Sequence, residues 1–297
     1  MIKRRQFNTL ALAGTWGSAA ALAPTKTLAA ADLAQRLQPA LAAIERRAQA
    51  RLGVHVIDTA TGAEFGHRAD ERFLLCSTFK LLASAHVLHR ADQGAEQMDR
   101  RIAFKRADLV PHSPVTEAHA DGPGLTLAQL CEATLTTSDN TAVNLMLASI
   151  GGPAGLTKFA RDIGDTVTRI DRYEPAMSTW RRGDARDTTS PRAMAHTVQA
   201  LVLGDVLKPA SRSTLQTWLR ANTTGDRRLK AGLPVNWIVG DKTGTGDAGS
   251  TNDIGVLWPP GRAPLVVTAY LTETRQPHAR SEVALAEVGR LVARWVG

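Results

Sequence analysis

The chain has 297 residues, enough for one large domain or two small ones with a sizeable hydrophobic core. Apolar residues make up 43% of it and charged residues 22%, proportions that exclude a disordered, collagen-like or polytopic membrane protein. The formal net charge is +8, but aromatic residues are only 5% and no basic run is interleaved with aromatics, so no nucleic-acid partner is expected.

Residues 1–31 have the three-part layout of an export signal: a basic start, an apolar stretch rich in Ala and Leu, and a segment of small residues. The pair Arg4-Arg5 is typical of a twin-arginine signal, and an ordinary secretory signal that carries two arginines is the alternative. The apolar stretch, Leu10–Ala23, is shorter than the about 20 residues that a membrane-spanning helix needs. We therefore expect a mature protein without a membrane span, located in the periplasm or secreted.

The part of the chain that follows predicts a helix and then a β-hairpin. Apolar residues recur with helical spacing over Asp32–Arg51, and Gly53 is the predicted stop of that helix. Val54–Asp58 alternates between apolar and polar residues as a strand does, and Glu64–Arg68 is the predicted return strand.

The middle of the chain has helical periodicity with clear start signals. Thr126 with Gln129 forms a capping box, and Ser190 followed by Pro191 is a typical helix start. Residues 173–189 lack an apolar period and are long for a connector, which predicts a packed, functional loop. Helices are predicted over Thr78–Arg90, Leu127–Thr136, Asn140–Ile150, Pro191 to about Leu203, and from Pro209 onward.

Strand character returns near the C-terminus. With strands at both ends and helices between them, we predict an α+β fold: one antiparallel sheet built from both termini and flanked by helices, plus an inserted all-helical domain. The predicted boundaries are 32–69 with 221–297 for the α/β domain and 70–220 for the all-helical domain. The late elements are strands over Asn236–Lys242, Asp253–Trp258 and Leu265–Thr272 and a helix over Ser281–Val296.

Three short motifs carry the chemistry, and the first is an S-x-x-K formed by Ser77 and Lys80. On a helix this spacing puts both side chains on one face, with the serine at the positive N-terminal end. Burial and that field are expected to lower the pKa of Lys80 and help it to act as a base. Ordinary residue usage produces on the order of one such motif in a chain of this size, so it carries little weight alone.

The second and third motifs are Ser138-Asp139-Asn140, between two predicted helices, and Lys242-Thr243-Gly244, at the end of a predicted strand. Taken singly, they are an ordinary helix–helix turn and an exposed strand end. All three in this order are rare by chance, and with them the chain resembles the class A serine β-lactamases over essentially the whole mature sequence. Further matching segments are Ser113–Glu117, Gly151–Pro153, Arg172–Pro175 and Arg186–Thr189.

The resemblance implies a catalytic set of four residues. Ser77 is the nucleophile that becomes acylated, and Lys80 accepts or relays its proton. Ser138 passes a proton to the β-lactam nitrogen as it leaves. Glu174 activates the water that hydrolyses the acyl-enzyme. The resemblance leaves open whether Glu174 or Lys80 is the base in acylation.

The resemblance also implies a set of groups that hold the substrate. The backbone N–H groups of Ser77 and Thr245 form the oxyanion hole. An ion pair between Arg172 and Asp187 closes an Ω-loop over residues 172–187. No cofactor and no metal are implied. The implied substrate-binding residues are Asn140 for the acylamide side chain, Lys242, Thr243, Gly244, Thr245 and Arg228 near the substrate carboxylate, and His112 and Ser178 at the rim.

Two positions depart from the commonest pattern of these enzymes. Ser178 stands where many members have an Asn that shares the deacylating water with Glu174; its hydroxyl is shorter and lacks an NH₂ donor. Thr251 stands where many members carry a carboxylate-binding Arg. Arg228 matches an alternative placement of that Arg, and Glu282 is its expected ionic partner.

The two cysteines also depart from related patterns. Cys131 matches one half of a disulfide found in some members, but Ser84 stands at the partner position. Cys76 precedes the nucleophile, and the members that bridge this position need a Cys where this chain has Gly246. We therefore expect two free thiols.

Two other functions share the three motifs. One is a DD-peptidase acting on cell-wall peptides, and the other is a β-lactam-sensing receptor domain that stays acylated. Glu174 on its loop and the exported chain without a membrane span both favour the β-lactamase. The expected partners are β-lactam antibiotics and mechanism-based inhibitors, and the expected oligomeric state is a monomer.

Overall fold

The computed structural model describes residues 25–296 of the chain. Within that range the α-helices are α1 (Thr25–Ala48), α2 (Phe79–Asp92), α3 (Leu127–Thr136), α4 (Asn140–Ser149), α5 (Gly152–Asp162), α6 (Pro191–Val202), α7 (Pro209–Arg220) and α8 (His278–Val296). The strands are β1 (Arg51–Asp58), β2 (Ala63–His67), β3 (Phe73–Leu74), β4 (Arg101–Ile102), β5 (Leu125–Thr126), β6 (Thr188–Thr189), β7 (Ile238–Thr245), β8 (Thr251–Trp258) and β9 (Leu265–Thr272).

The main sheet combines both ends of the chain. Its five strands lie in the order β2-β1-β9-β8-β7, and each neighbouring pair is antiparallel. The N-terminal hairpin joins the C-terminal strands through β1 and β9, from Arg51 opposite Thr272 to Asp58 opposite Leu265. The predicted α+β fold with an antiparallel sheet from both termini is confirmed.

The sheet separates two hydrophobic cores. Because successive side chains of a strand point to opposite faces, Leu52, Val54 and Val56 of β1 join a core with α1 and α8, whereas Ile57 joins the larger core of the helical part. All eight residues of β9 are buried, since both faces of that strand are covered. Helix α6 packs on β1, β8 and β9 from the helical side.

Helix α2 is the central element of the helical part. Phe79, Leu81, Leu82 and Ala85 are fully buried, and α3 to α7 all pack against this helix. An element that is buried on every side moves little, because its neighbours are close-packed. The N-terminus of α2 is therefore a rigid support for the turn that precedes it.

The first predicted helix ends earlier than expected. Helix α1 stops at Ala48, and Gly53 lies inside β1 instead of ending the helix. A Cβ at Gly53 would lie 2.4 Å from the Phe73 ring and 2.8 Å from Pro191 Cγ. This glycine is needed for close packing on the sheet, a requirement that local sequence patterns do not reveal.

Several other details differ from the predictions. Helix α5 and the short pairs β3–β6 and β4–β5 were not predicted, and β7 extends three residues beyond Lys242 to Thr245. The predicted export signal falls mostly outside the described residues, and its last part, 25–31, belongs to α1. Over 25–296, no helix has both the length and the apolarity needed to cross a membrane.

The predicted capping box is present at the start of α3 and yields a stability prediction. Thr126 Oγ1 accepts from the Gln129 N–H at 3.2 Å, and Gln129 Oε1 accepts from the Thr126 N–H at 2.9 Å. Thr126→Ala should lower the free energy of unfolding by about 0.5–2 kcal/mol in urea titrations, because the Gln129 N–H loses its side-chain acceptor. Thr217→Ala, an exposed change within α7, is the control and should change it by less than about 0.5 kcal/mol. Equal losses in the two variants would contradict the capping interpretation.

Candidate active site

The predicted site residues converge on one cavity of about 360 Å³ between β7 and the loops of the helical part. Lys80 and Lys242 lie fully buried beside it. The residues that line the cavity are Ser77, His112, Ser138, Asn140, Glu174, Pro175, Ser178, Thr224, Arg228, Thr243, Gly244 and Thr245.

Ser77 lies in a 3₁₀ turn, Cys76–Thr78, that leads directly into α2. Two hydrogen bonds to Leu75 O stabilise the turn. Thr78 Oγ1 donates to this oxygen at 2.7 Å, and Asn252 Nδ2 on β8 donates to it at 3.2 Å. Cys76 adopts a left-handed φ of 44°. Non-glycine residues rarely adopt this region, and strained backbone of this kind concentrates at functional sites.

Lys80 lies one turn further along α2, with its ammonium group fully surrounded. Its Nζ donates to Ser138 O at 2.7 Å, to Ser138 Oγ at 3.2 Å and to Asn140 Oδ1 at 2.5 Å, which uses all three N–H groups. Glu174 Oε1 lies 3.6 Å from Nζ. Burial lowers the pKa of Lys80 from 10.5 to about 8, while the negative charges of Glu174 and Asp139 oppose that decrease. Lys80 can therefore gain or lose a proton near neutral pH.

The Ser138-Asp139-Asn140 segment is fixed by its buried aspartate. Asp139 Oδ1 caps α4 by accepting from the Ala142 N–H at 2.8 Å. Its Oδ2 accepts from the N–H groups of Val115 and Thr116 at 3.0 and 2.9 Å, which ties the 113–117 segment to the same point. Ser138 has a left-handed φ of 62°, which directs its side chain towards the lysines.

Lys242 reaches the site from β7. Its Nζ donates to Ser138 Oγ at 3.1 Å and to Thr243 O at 2.9 Å. Burial lowers its pKa well below 10.5, and the nearby positive charge of Lys80 lowers it further. Since both lysines donate to Ser138 Oγ, the hydroxyl proton of Ser138 is free to be donated to another group.

Glycine at position 244 lets β7 approach the turn that carries Ser77. A Cβ there would lie 3.0 Å from Leu75 O and 3.1 Å from Cys76 Cβ. This close approach places Thr245 at the same cavity wall as Ser77. The next glycine, Gly246, faces Cys76, whose Sγ would lie 2.7 Å from an added Cβ.

The prediction of two free thiols is confirmed. Cys76 and Cys131 are both unpaired and fully buried. Burial raises the pKa of each thiol above its usual value, so neither is an ionised nucleophile at neutral pH.

Glu174 points from the Ω-loop to Ser77. Ser77 Oγ donates to Glu174 Oε1 at 3.2 Å, and Ser178 Oγ donates to Glu174 Oε2 at 3.2 Å. Asn144 on α4 makes two hydrogen bonds to the Glu174 backbone. Its Nδ2 donates to Glu174 O at 2.9 Å, and its Oδ1 accepts from the Glu174 N–H at 3.0 Å. The carboxylate is thus held against Ser77 by a helix and not only by its own loop.

The Ω-loop is closed at its neck as the sequence predicts. Arg172 Nε and Asp187 Oδ2 lie 2.5 Å apart. Asp187 is fully buried, and its Oδ1 also accepts from the N–H groups of Asp171 and Arg172 at 2.7 and 3.0 Å. The one carboxylate therefore joins the two ends of the loop.

Arg228 lies at the cavity, but the prediction that Glu282 is its ionic partner is wrong. Its guanidinium donates to Gly244 O at 2.9 Å, to Asn252 O at 2.7 Å and to Thr245 Oγ1 at 2.7 Å. Glu282 instead lies 3.7 Å from Arg227, the neighbouring residue. Burial lowers the pKa of Arg228 from its usual value, and backbone carbonyls of β7 and β8, rather than a carboxylate in contact, position its charge.

Sequence reasoning missed three residues of the site. Thr224 lines the cavity and its Oγ1 lies 2.5 Å from Thr243 Oγ1, but it lies in a turn without a motif. Pro175 lines the cavity beside Glu174. Asn144 could have been found, because it lies four residues after Asn140 and shares its face of α4.

Comparison with known proteins agrees with this geometry. A model of the β-lactamase enzyme family matches residues 33–296. The β-lactamase CTX-M-8 of Citrobacter amalonaticus is 47% identical over 259 residues, which are 87% of this chain and 89% of that protein. The β-lactamase L2 of Stenotrophomonas maltophilia is 47% identical over 287 residues, 96% of this chain and 92% of that one.

Solved structures give the same result. An ancestral class A β-lactamase superposes with a TM-score of 0.86 and 59% identity, covering 87% of this chain and 99% of that structure. Sequence family, three-dimensional fold and the arrangement of the three motifs coincide, and the chain belongs to the β-lactamase enzyme family, among the class A β-lactamases.

Proposed function

We propose that this protein opens the β-lactam ring of penicillins and cephalosporins by hydrolysis, through an ester formed on Ser77. The observation that carries this proposal is the hydrogen bond of 3.2 Å from Ser77 Oγ to Glu174 Oε1, within a cavity that also holds two buried lysines. The relatives named as β-lactamases support it. Ring opening inactivates the antibiotic, so the activity confers resistance on the cell that makes it.

Acylation begins with attack of Ser77 Oγ on the carbonyl carbon of the ring. The Ser77 proton passes to Glu174, which already accepts its hydrogen bond, because Lys80 has all three N–H groups engaged and can act as an acceptor only after losing a proton. The carbon–nitrogen bond then breaks, and Ser138 donates its hydroxyl proton to the nitrogen. Lys80, hydrogen-bonded to Ser138 Oγ, restores that proton and takes up the proton held by Glu174, whose Oε1 lies 3.6 Å from Nζ, so Glu174 is a carboxylate again before deacylation.

Charge stabilisation comes from the backbone and from the buried cations. The N–H groups of Ser77 and Thr245 receive the negative charge that develops on the carbonyl oxygen. Lys242 and Arg228 provide positive potential at the β7 side of the cavity, where the substrate carboxylate binds. Donors that are already in place cost no reorganisation during the reaction.

Deacylation needs a water molecule between Glu174 and the ester carbonyl. Glu174 takes one proton from the water, the hydroxide attacks the ester carbon, and the proton returns to Ser77 Oγ as the ester bond breaks. The Ser178 hydroxyl, hydrogen-bonded to the other carboxylate oxygen, supports this geometry.

On the pattern of residues 1–31 we further propose that the protein is exported. We also propose that it acts as a monomer.

We expect Glu174 to determine whether the acyl-enzyme is hydrolysed or accumulates. Glu174→Ala should slow deacylation by about 10²–10⁴-fold, because no other carboxylate of residues 25–296 lines the cavity to take the water proton. Intact-protein mass spectrometry should therefore find a long-lived benzylpenicillin adduct, absent when Ser77→Ala is added. Glu132→Ala, an exposed change on α3, should turn over like wild type.

Two outcomes would contradict this assignment. Turnover at the wild-type rate by Glu174→Ala would remove the Ω-loop from the mechanism. A wild-type protein that itself keeps the adduct would indicate the receptor or the DD-peptidase.

The pH dependence of acylation tests Lys80. In Glu174→Ala the remaining base is Lys80, so the acylation rate should rise with pH as this lysine loses its proton. The midpoint should lie below the wild-type pKa of about 8, because the Glu174 charge that raises this pKa has been removed. Rapid-quench mass spectrometry at a series of pH values measures the rate. Adding Lys80→Ala should abolish the rise, and a rate independent of pH would exclude Lys80 as that base.

Arg228 and its neighbour form a matched pair for testing carboxylate binding. Arg228→Ala should lower kcat/KM, mainly through KM, by on the order of ten- to a hundredfold, since a charge-assisted contact contributes about 1.5–3 kcal/mol. Inactivation by clavulanate should weaken as well. Arg227→Ala removes an exposed arginine that contacts Glu282 and should leave steady-state kinetics unchanged. Equal effects of the two changes would assign Arg228 a purely structural role.

A further inference from the structure

A second cluster of reactive side chains lies outside the active-site cavity. His55 on β1, Glu64 on β2 and His196 on α6 are distant in sequence, but their nitrogen and oxygen atoms lie within 4.8 Å of one another. None of the three lines the active-site cavity. We propose that these residues form a binding site for a divalent transition-metal ion, with Zn²⁺ as the best match.

The geometry suits a tetrahedral ion with two nitrogen ligands and one oxygen ligand. Glu64 Oε2 lies 2.9 Å from His55 Nε2 and 3.4 Å from His196 Nε2. Zinc bonds of about 2.0–2.2 Å place neighbouring tetrahedral ligands about 3.3 Å apart, so both separations are close to the required value. The His196 side chain is 48% exposed, which lets it adjust and leaves the fourth position open to water.

The buried histidine presents its Nε2 atom to the cluster. His55 is fully buried, and its Nε2 lies 2.9 Å from Glu64 Oε2. Its Nδ1 has no hydrogen-bond partner among the described residues. Metal at Nε2 would leave an unpaired N–H at Nδ1, where strong zinc sites have an acceptor, so the affinity should be micromolar rather than that of a structural zinc site.

One cation lies next to the cluster. Arg192 Nη1 is 3.5 Å from Glu64 Oε2, and its positive charge opposes metal binding. Its Nε is only 2.9 Å from Asp70 Oδ1, so Asp70 already compensates much of that charge and can hold Arg192 when Glu64 turns to the metal. Arg192 should therefore weaken the site without abolishing it.

A bound ion would link α6 to the β1–β2 hairpin. Because metal would bind the folded chain and not the dispersed ligands of the unfolded chain, saturating Zn²⁺ should raise Tm. The hydrolytic steps proposed above use none of these residues, so this inference does not depend on the proposed function.

Isothermal titration calorimetry of the untagged, chelator-treated protein with ZnCl₂ tests the proposal. One equivalent should bind to wild type, and binding should weaken at least about tenfold in His196→Asn and in Glu64→Gln, since each loses one of three ligands. His278→Asn is the matched control: His278 is similarly exposed and lies 3.4 Å from Glu282, and it should bind like wild type. Circular dichroism of each variant confirms folding.

The neighbouring arginine provides a test in the opposite direction. Arg192→Gln should bind Zn²⁺ several-fold more tightly, because a like charge beside the ion is removed. Wild-type protein that binds no zinc, or a His196→Asn variant that binds it as wild type does, would overturn the proposal. So would an Arg192→Gln variant with unchanged affinity, because the ion would then lie elsewhere.

Discussion

The burial of two lysine ammonium groups around one serine hydroxyl is the constraint on which the active site depends. Lys80 and Lys242 are both fully buried and both donate to Ser138 Oγ. Buried charges are costly unless hydrogen bonds and opposite charges surround them. Glu174 supplies the nearby carboxylate and Asn140 a neutral acceptor for Lys80, so the Ω-loop and α4 are held in place by the same charges that serve the chemistry.

Several residues around the cavity have strained backbone conformations. Cys76, His112, Ser138 and Asp187 all have left-handed φ angles although none is glycine. Each such residue costs on the order of 1–3 kcal/mol and persists only where its surroundings enforce it. Buried hydrogen bonds to Asp139 and Asp187 and the packed sides of α2 provide that enforcement.

The two edges of the sheet hold different clusters of side chains. On the β7 edge, small residues let the strand approach the turn that carries Ser77, and Arg228 is held there by backbone carbonyls. On the opposite edge, β1 and β2 meet α6 and bring His55, Glu64 and His196 together. The same antiparallel sheet thus carries the hydrolytic site at one edge and the proposed metal site at the other.

Features that depend on neighbouring residues could be predicted from local sequence patterns. Periodicity and capping residues located most helices and the main strands, and the three motifs with Glu174 identified the family and residues that meet at one cavity. Features that depend on contacts between distant parts of the chain became visible only in the folded protein. Gly53 is a packing position rather than a helix stop, Glu282 pairs with Arg227 instead of Arg228, and Thr224 joins the cavity wall beside Thr243. Those outcomes follow from distances between segments far apart in sequence, and no local pattern of residues encodes such distances.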